Sequence, residues 1–328
     1  EENVAYNTTG HCFINENGVE EDIRFYNNLG VLTQDQPEER RIGDPLESDH
    51  RAYTFWFTNA NVKVVGNVAA GAEKGGFWYE TFEHGPHGPY KDWPEYADFN
   101  PKTRRLGSFV NNAVHSSGER GIRMYEPGYK PLEPFTFYDT RAYKSNDHGI
   151  FIHGVQYMTL DGGVFADNKI SIRNFNARTI FKNLEIVLTS ELVHERNPTH
   201  CHGKAGLQQK INPGWNDGAI LENVTFSGLN VDGAECEARG FEWYHLLGQK
   251  RFVGNTHVSD VGTAPGTERK DLVNFACRWA EDPYDMHNLL LEDADGTIGL
   301  TGRPGFYASK GPLATAFVPD ATCADHPR

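Results

Sequence analysis

The feature that most constrains the fold is a short phrase that returns along the chain: an asparagine, then alternating small and apolar residues. It reads Asn28-Leu29-Gly30-Val31, Asn67-Val68-Ala69-Ala70, Asn112-Ala113-Val114-His115, Asn183-Leu184-Glu185-Ile186 and Asn223-Val224-Thr225-Phe226. Thr140-Arg141-Ala142-Tyr143 and Gly162-Gly163-Val164-Phe165 fit the same slot without the asparagine. A second phrase follows it, as in Gly76-Phe77-Trp78-Tyr79, Gly121-Ile122-Arg123-Met124 and Gly149-Ile150-Phe151-Ile152. Each is a β-type run bounded by turn residues. From Asn28 to Asn183 the intervals are 39, 45, 28, 22 and 21 residues. The short ones match one turn of a parallel β-helix, about 20–25 residues. The long ones fit turns carrying insertions, visible at 80–106 and 126–134.

A β-sandwich also has many short strands but gives no reason for one phrase to recur in every turn. The expected fold is therefore all-β: a single right-handed parallel β-helix with inserted loops. Residues 1–228 hold the rungs, and 229–328 a less regular C-terminal end and cap of the same domain. Asparagine at a corner can hydrogen-bond the same residue above and below, and it tolerates left-handed backbone angles.

Lys and Arg total 31 against 45 Asp and Glu, a net charge of −14 over 328 residues. That balance argues against a nucleic-acid or anionic-membrane binder, which needs basic surface to meet phosphate. No run of about 18 apolar residues exists to cross a membrane. The first residues carry no basic and apolar leader, which reads as a cytosolic chain or a mature or internal piece of something larger. Five cysteines, Cys12, Cys201, Cys236, Cys277 and Cys323, are widely spaced and form no CxxC. Four of them can pair in three ways for each choice of the odd one. Asn7-Thr8-Thr9 and Asn223-Val224-Thr225 are N-glycosylation sequons. With spaced cysteines they tilt the reading toward an oxidising, extracellular setting.

A resemblance rests on longer motifs. Asn3-Val4-Ala5-Tyr6-Asn7-Thr8-Thr9-Gly10-His11, then Glu16, Gly18, Glu20, Glu21 and Asn28-Leu29-Gly30, resembles the β-helix region of the fibrocystin-L family. The cell-migration-inducing hyaluronan-binding proteins and transmembrane hyaluronidases share that region. The likeness continues through Phe55-Trp56-Phe57-Thr58-Asn59, Gly76-Phe77-Trp78-Tyr79 and Leu106-Gly107-Ser108-Phe109. It is dense over 3–125, thin over 126–270, and returns at 271–305 with Asp293-Ala294-Asp295-Gly296-Thr297. The resemblance implies a right-handed β-helix in the ectodomain of a large secreted or membrane-anchored protein, with further modules in the same polypeptide. It implies hyaluronan depolymerisation for some members and a surface receptor or coat role for others. It nominates no catalytic position here.

Candidate chemistry falls into five groups. Glu20 and Asp22 share a strand face and could form a carboxylate pair for glycosidic cleavage, with His11 as proton shuttle. Their bland role is backbone capping in a turn. Asp147, His148 and His115 form a polar set, with His148 in the rung column of Arg120. Such columns build polysaccharide grooves, and a stacked His serves equally as a corner hydrogen-bonder. His200 and His202 would point the same way on a strand, as metal ligands do. Asp293 and Asp295 flank a turn like the start of a calcium loop, without the downstream Glu. Tyr90, Trp93 and Tyr96 lie in the 80–106 insertion, where exposed rings can stack on sugars. Trp56 and Trp78 sit in rung phrases and read as core.

No phosphate loop, Gly-x-Ser-x-Gly elbow, His-Glu-x-x-His or dinucleotide fingerprint occurs. The leading reading is an extracellular, non-catalytic β-helix module of a large cell-surface or matrix glycoprotein. It is structural, adhesive or glycan-contacting, and its partners are glycans or neighbouring copies. No cofactor is required, though calcium fits the Asp293 turn. The alternative is a hyaluronidase-type depolymerase using carboxylates and His in a β-helix groove.

Overall fold

A computed structural model describes residues 1–37, 48–83, 93–125, 128–175, 177, 179–192, 205–211, 219–228, 239–245, 254–263, 273–275, 289–295 and 305–308. Beyond Gln208, side chains are described for 219–228 and 294–295. The described strands wind into a parallel β-helix with three faces. The first face stacks nine parallel strands, from Phe13–Asn15 through Tyr53–Phe57, Gly75–Tyr79, Arg120–Met124, His148–His153 and Ile170–Phe175 to Val273–Phe275. The second begins with Ile23–Tyr26, Val62–Val65 and Ser108–Val110. The third begins with Val4–Tyr6, Leu29–Val31, Val68–Ala70 and Ala113–His115. The two fuse at Phe135–Tyr143, and Met158–Ala166, Thr179–Val187 and Ala219–Ser227 run unbroken across both. Rung pairing continues beyond residue 228 through Gly254–Thr263 to Leu289–Asp293. There Gly305–Ala308 adds antiparallel.

The bend between the second and third faces comes from one backbone state per rung. Asn27, Gly66, Asn111, Asp139, Gly162, Asn183 and Asn223 all have positive φ, from 49° to 75°. A left-handed residue turns the chain without lengthening it, and Asn, Asp and Gly reach that region at least cost. The residue after the bend does a different job. Asn28, Asn67 and Asn112 are buried and form an amide ladder inside the helix. The backbone and side-chain amides of Asn28 both donate to Asn67 Oδ1 at 2.9 Å, and those of Asn67 donate to Asn112 Oδ1 at 2.9 and 3.1 Å.

The recurring phrase thus covers two adjacent columns. Asn183 and Asn223 sit at the exposed left-handed corner, one residue out of step with the buried ladder. Leu184 and Val224 occupy the ladder slot. Where the ladder changes to leucine and valine, the interior is apolar enough to continue without amides.

The core is a stack of like residues. Phe13, Phe55 and Phe77 overlay with centroids 4.8 and 4.7 Å apart, and Phe109 lies 4.1 Å from Phe137. Each fully buried Phe contributes about 1.5–3 kcal/mol of transfer free energy. The returning end of the 80–106 insertion is clamped to the first rungs. Arg104 Nε and Nη2 donate to the two oxygens of Glu21 at 2.6 and 2.9 Å, and the guanidinium lies over Phe99. The Arg104 hydrogen bonds hold the Glu21 carboxyl below its usual pKa against the opposing effect of burial.

Candidate functional site

Strand alternation decides what the first face presents. Phe55, Phe57, Phe77, Tyr79, Ile122, Met124, Ile150 and Ile152 belong to the central core. The residues between them therefore project from the opposite side. Register aligns Trp56, Trp78, Arg123, Phe151, Arg173 and Gln208 in one outer column. Alternation breaks two residues before Phe55, Phe77, Ile122 and Ile150, where Tyr53, Gly75, Arg120 and His148 form a second outer column, with Tyr53 packed on Trp78 and both Arg120 and His148 against Phe151. The tryptophans are buried, as the sequence suggests. With Tyr53, however, they form a separate cluster outside the strands rather than part of the central core.

Guanidinium and ring alternate along these columns. Arg123 lies 4.4 Å from the Trp78 ring centroid, Arg120 5.2 Å from Phe151, and Arg173 4.1 Å from Phe175. The Tyr125 and His153 rings stack at 4.2 Å. Stacking over an aromatic face stabilises a guanidinium by about 0.5–2 kcal/mol. Arg123 is buried beneath, at 3% exposure, while Arg120, Arg173, Tyr125 and His153 stay partly exposed.

His148 is fully buried between charges. Asp147 Oδ2 lies 2.8 Å from its Nδ1, and Arg173 Nη1 lies 2.9 Å from its Nε2. Arginine only donates, so Nε2 is the acceptor and a neutral ring carries its proton on Nδ1, beside the carboxylate. Burial pushes the His148 pKa down, and Asp147 only partly offsets it. Burial would raise Asp147, but the His148 contact and the nearby Arg120 outweigh it and leave the carboxyl below its usual value. Arg120 Nη2 stands 3.8 Å from the same carboxylate. The set orients Arg173. It does not present a free imidazole lone pair, which a general base must offer to substrate.

This arrangement has a pH signature. The folded pKa of His148 lies below the unfolded value of about 6.5, so the unfolded chain takes up the proton first. Stability is complete above about pH 6.5 and falls as pH drops toward the folded value, at up to about 1.4 kcal/mol per pH unit. Thermal melts from pH 7.5 to 5.5 should show a falling midpoint. His148→Gln should flatten the slope more than His115→Gln, although burial lowers the His115 pKa too. Equal slopes in wild type and His148→Gln would refute the assignment.

The other sequence candidates have separate placements. His11 Nδ1 lies 3.0 Å from the Tyr53 backbone nitrogen, and its ring stacks on Trp56 at 4.6 Å. Glu20 accepts from Asn15 Nδ2 and the Asn17 amide, at 3.3 and 3.4 Å. Asp22 pairs with Lys63 at 3.0 Å. The three thus engage different partners, in capping and pairing roles. His115 stacks on Tyr143 of the third face at 4.8 Å. Trp93 is exposed and packs 5.9 Å from half-buried Tyr96.

Tyr90, His200 and His202 lie outside the described residues. Asp293 ends the strand Leu289–Asp293, and Asp295 is exposed beyond it. Among the described residues no three His, Cys, Asp or Glu side chains cluster as a metal site would require. Cys12, the one described cysteine, is a free thiol 3.1 Å from Thr33 Oγ1. Asn7 and Asn223 are both exposed. The rung alignment of His148 with Arg120 is legible in the sequence and matches the register. Arg123 and Arg173 are the functional candidates sequence reasoning missed. Their signal is the alternation of basic and aromatic residues once rung length is known.

No helix among the described residues is long and apolar enough to cross a membrane. Residues 1–122 match the CEMIP beta-helix family. The human cell migration-inducing and hyaluronan-binding protein is 31% identical over 218 residues, 52% of this chain and 16% of that protein. Mouse fibrocystin-L is 35% identical over 133 residues, 40% of this chain and 3% of that protein. A zebrafish (Danio rerio) cell surface hyaluronidase is 31% identical over 140 residues, 36% of this chain and 10% of that protein. The chain thus spans less than a fifth of each relative's length. With its parallel β-helix, the chain is similar to the hyaluronan-binding, cell surface hyaluronidase and fibrocystin-L proteins, and its similarity to the CEMIP beta-helix family lies in residues 1–122.

Proposed function

We propose that this chain is a rigid β-helix module of a larger cell-surface or matrix glycoprotein, and that it contacts an acidic glycan of the hyaluronan type without cleaving it. The observation that carries this reading is the outer first face, where partly exposed Arg120, Arg173, Tyr125 and His153 lie over buried Arg123, Trp78, Phe151 and Phe175 in a chain of net charge −14. Aromatic faces accept sugar rings, and arginine forks accept carboxylates. Arg120 and Arg173, the partly exposed guanidiniums, sit on strands two rungs apart, about 9.6 Å along the helix axis. A rung is comparable in height to one pyranose of an extended polymer, so alternate rungs meet alternate sugars. A polymer with a carboxylate on every second sugar matches that repeat. The names of the relatives support the same ligand class.

The test is binding to immobilised hyaluronan at low salt, with polymer length followed by light scattering. Arg120→Ala with Arg173→Ala should weaken binding about tenfold or more, and salt should weaken the wild type. Polymer length should not change. Binding unaffected by the double substitution would remove the face from the reading. The Asp147–His148 pair favours a second reading, a depolymerase in which Arg173 swings off Nε2 to free the base. Shortening of the polymer by the wild type but not by Asp147→Asn would establish it.

A further inference from the structure

A cleft of about 570 Å³ runs along the corner between the second and third faces, and the proposed acidic-glycan face does not use it. Its lining comes from five successive rungs, from Asn111 to Asn223, a length of about 19 Å at the spacing of β-strands. The volume falls within the range of small-ligand sites.

The cleft exists because one rung lacks side chains. Asp139 and Arg141 project below, Asn183 and Glu185 project above, and Gly162–Gly163 lies between them. Gly163 has a φ of 132°, and a Cβ there would lie 2.0 Å from the Thr140 carbonyl oxygen. Backbone packing therefore requires glycine at Gly163, while Gly162 leaves the outer column empty between Asp139 and Asn183.

The walls are planar hydrogen-bonding groups at one-rung intervals. Asn223 Nδ2 donates to Asn183 Oδ1 at 2.8 Å, and Asn183 Nδ2 donates to Asp161 Oδ1 at 2.7 Å, so these amides are held in fixed orientation. Arg141 donates to Asn111 Oδ1. The exposed carboxylates of Asp139 and Glu185 also line the cleft and offer acceptors for ligand hydroxyls. One guanidinium against two carboxylates repels a polyanion, in contrast to the arginine face.

We infer that this cleft binds an uncharged, hydroxyl-rich linear sugar chain laid along the helix axis. Two sources share that chemistry: a free neutral polysaccharide, and a glycan attached to Asn223, whose sequon partner Thr225 also lines the cleft.

The experiment uses the full chain made in a bacterial host, without glycans, and in a secretory eukaryotic host. Neutral chito-, cello- and manno-hexaoses are titrated calorimetrically. The bacterial protein should bind at least one. Val164→Arg, a half-exposed floor position, should weaken it about tenfold or more by filling the notch. Arg120→Ala with Arg173→Ala should leave it unchanged, which separates this site from the acidic-glycan reading. Melting curves check that Val164→Arg folds.

If the attached glycan is the occupant, the secretory wild type should not bind the hexaoses, and Thr225→Val should restore binding. The Asn223 glycan should also resist an endoglycosidase until Val164→Arg releases it. No hexaose binding by the bacterial protein, together with equal glycan trimming in wild type and Val164→Arg, would overturn the inference.

Discussion

Gly163→Ala is expected to cost about 3 kcal/mol or more, while Gly162→Asn one residue earlier should be nearly neutral. The two glycines are adjacent, and both have positive φ, at 132° and 75°. They differ in what a side chain would meet. At Gly163 the new Cβ would press on the Thr140 backbone, with the oxygen at 2.0 Å and the carbonyl carbon and nitrogen at 2.8 Å. That backbone is locked by rung pairing and cannot move without shifting the strand. At Gly162 the nearest atom is a carboxylate oxygen of exposed Asp139, the end of a side chain that can swing away. The same corner column carries Asn111, Asn183 and Asn223 at φ of 52–53°, so asparagine is already compatible with the bend. Urea or thermal unfolding of the two variants should separate them clearly. Equal losses would mean that the bend, and not the contact with Thr140, sets the requirement for glycine.

Asn67→Ala is expected to cost about 3–5 kcal/mol, against about 0.5 kcal/mol or less for Asn183→Ala. Asn67 is fully buried, and its Oδ1 takes both donors of Asn28. Its Nδ2 donates to the Phe25 carbonyl at 2.7 Å. Alanine would leave those groups unpaired in a space that water does not reach, and each lost partner costs about 1–3 kcal/mol. The exposed Asn183 ladder loses only bonds that water replaces. Hydrogen exchange of residues 25–31 should speed up in Asn67→Ala and stay slow in Asn183→Ala. A mild loss at Asn67 would show that neighbouring rungs close over the gap.

The contrast between Asn67 and Asn183 also shows how far the sequence could be read. Asparagine followed by alternating apolar residues correctly announces stacked rungs, because both jobs available to asparagine occur at rung corners. The phrase does not say which job is in use. A one-residue offset separates a buried amide ladder from an exposed left-handed bend, and only the pairing register resolves it. The column of His148 and Arg120 is legible because the 28-residue interval between them carries only the small insertion at 126–134. The column of Trp78, Arg123, Phe151 and Arg173 is harder to see. It depends on knowing that Phe77 and Ile122 face inward, and an insertion separates Trp78 from Arg123. The acidic run of Glu20, Glu21 and Asp22 shows the opposite limit. Carboxylates at catalytic spacing along the chain are each taken up by a local partner, Asn15, Arg104 and Lys63.

The unequal rung lengths bear on how such a scaffold can change. Buried asparagine contacts bridge 23 residues between Ser145 and Asn168 and 45 between Asn67 and Asn112, yet the bonds made are the same. Closing a loop twice as long costs only about 0.6 kcal/mol of chain entropy. A new excursion at a corner is therefore nearly free, whereas a single residue added within a strand would flip every side chain after it to the wrong face. Variation in a chain of this kind should accumulate as insertions between faces. The stack then works as a rail on which recognition loops are exchanged while the rungs stay fixed.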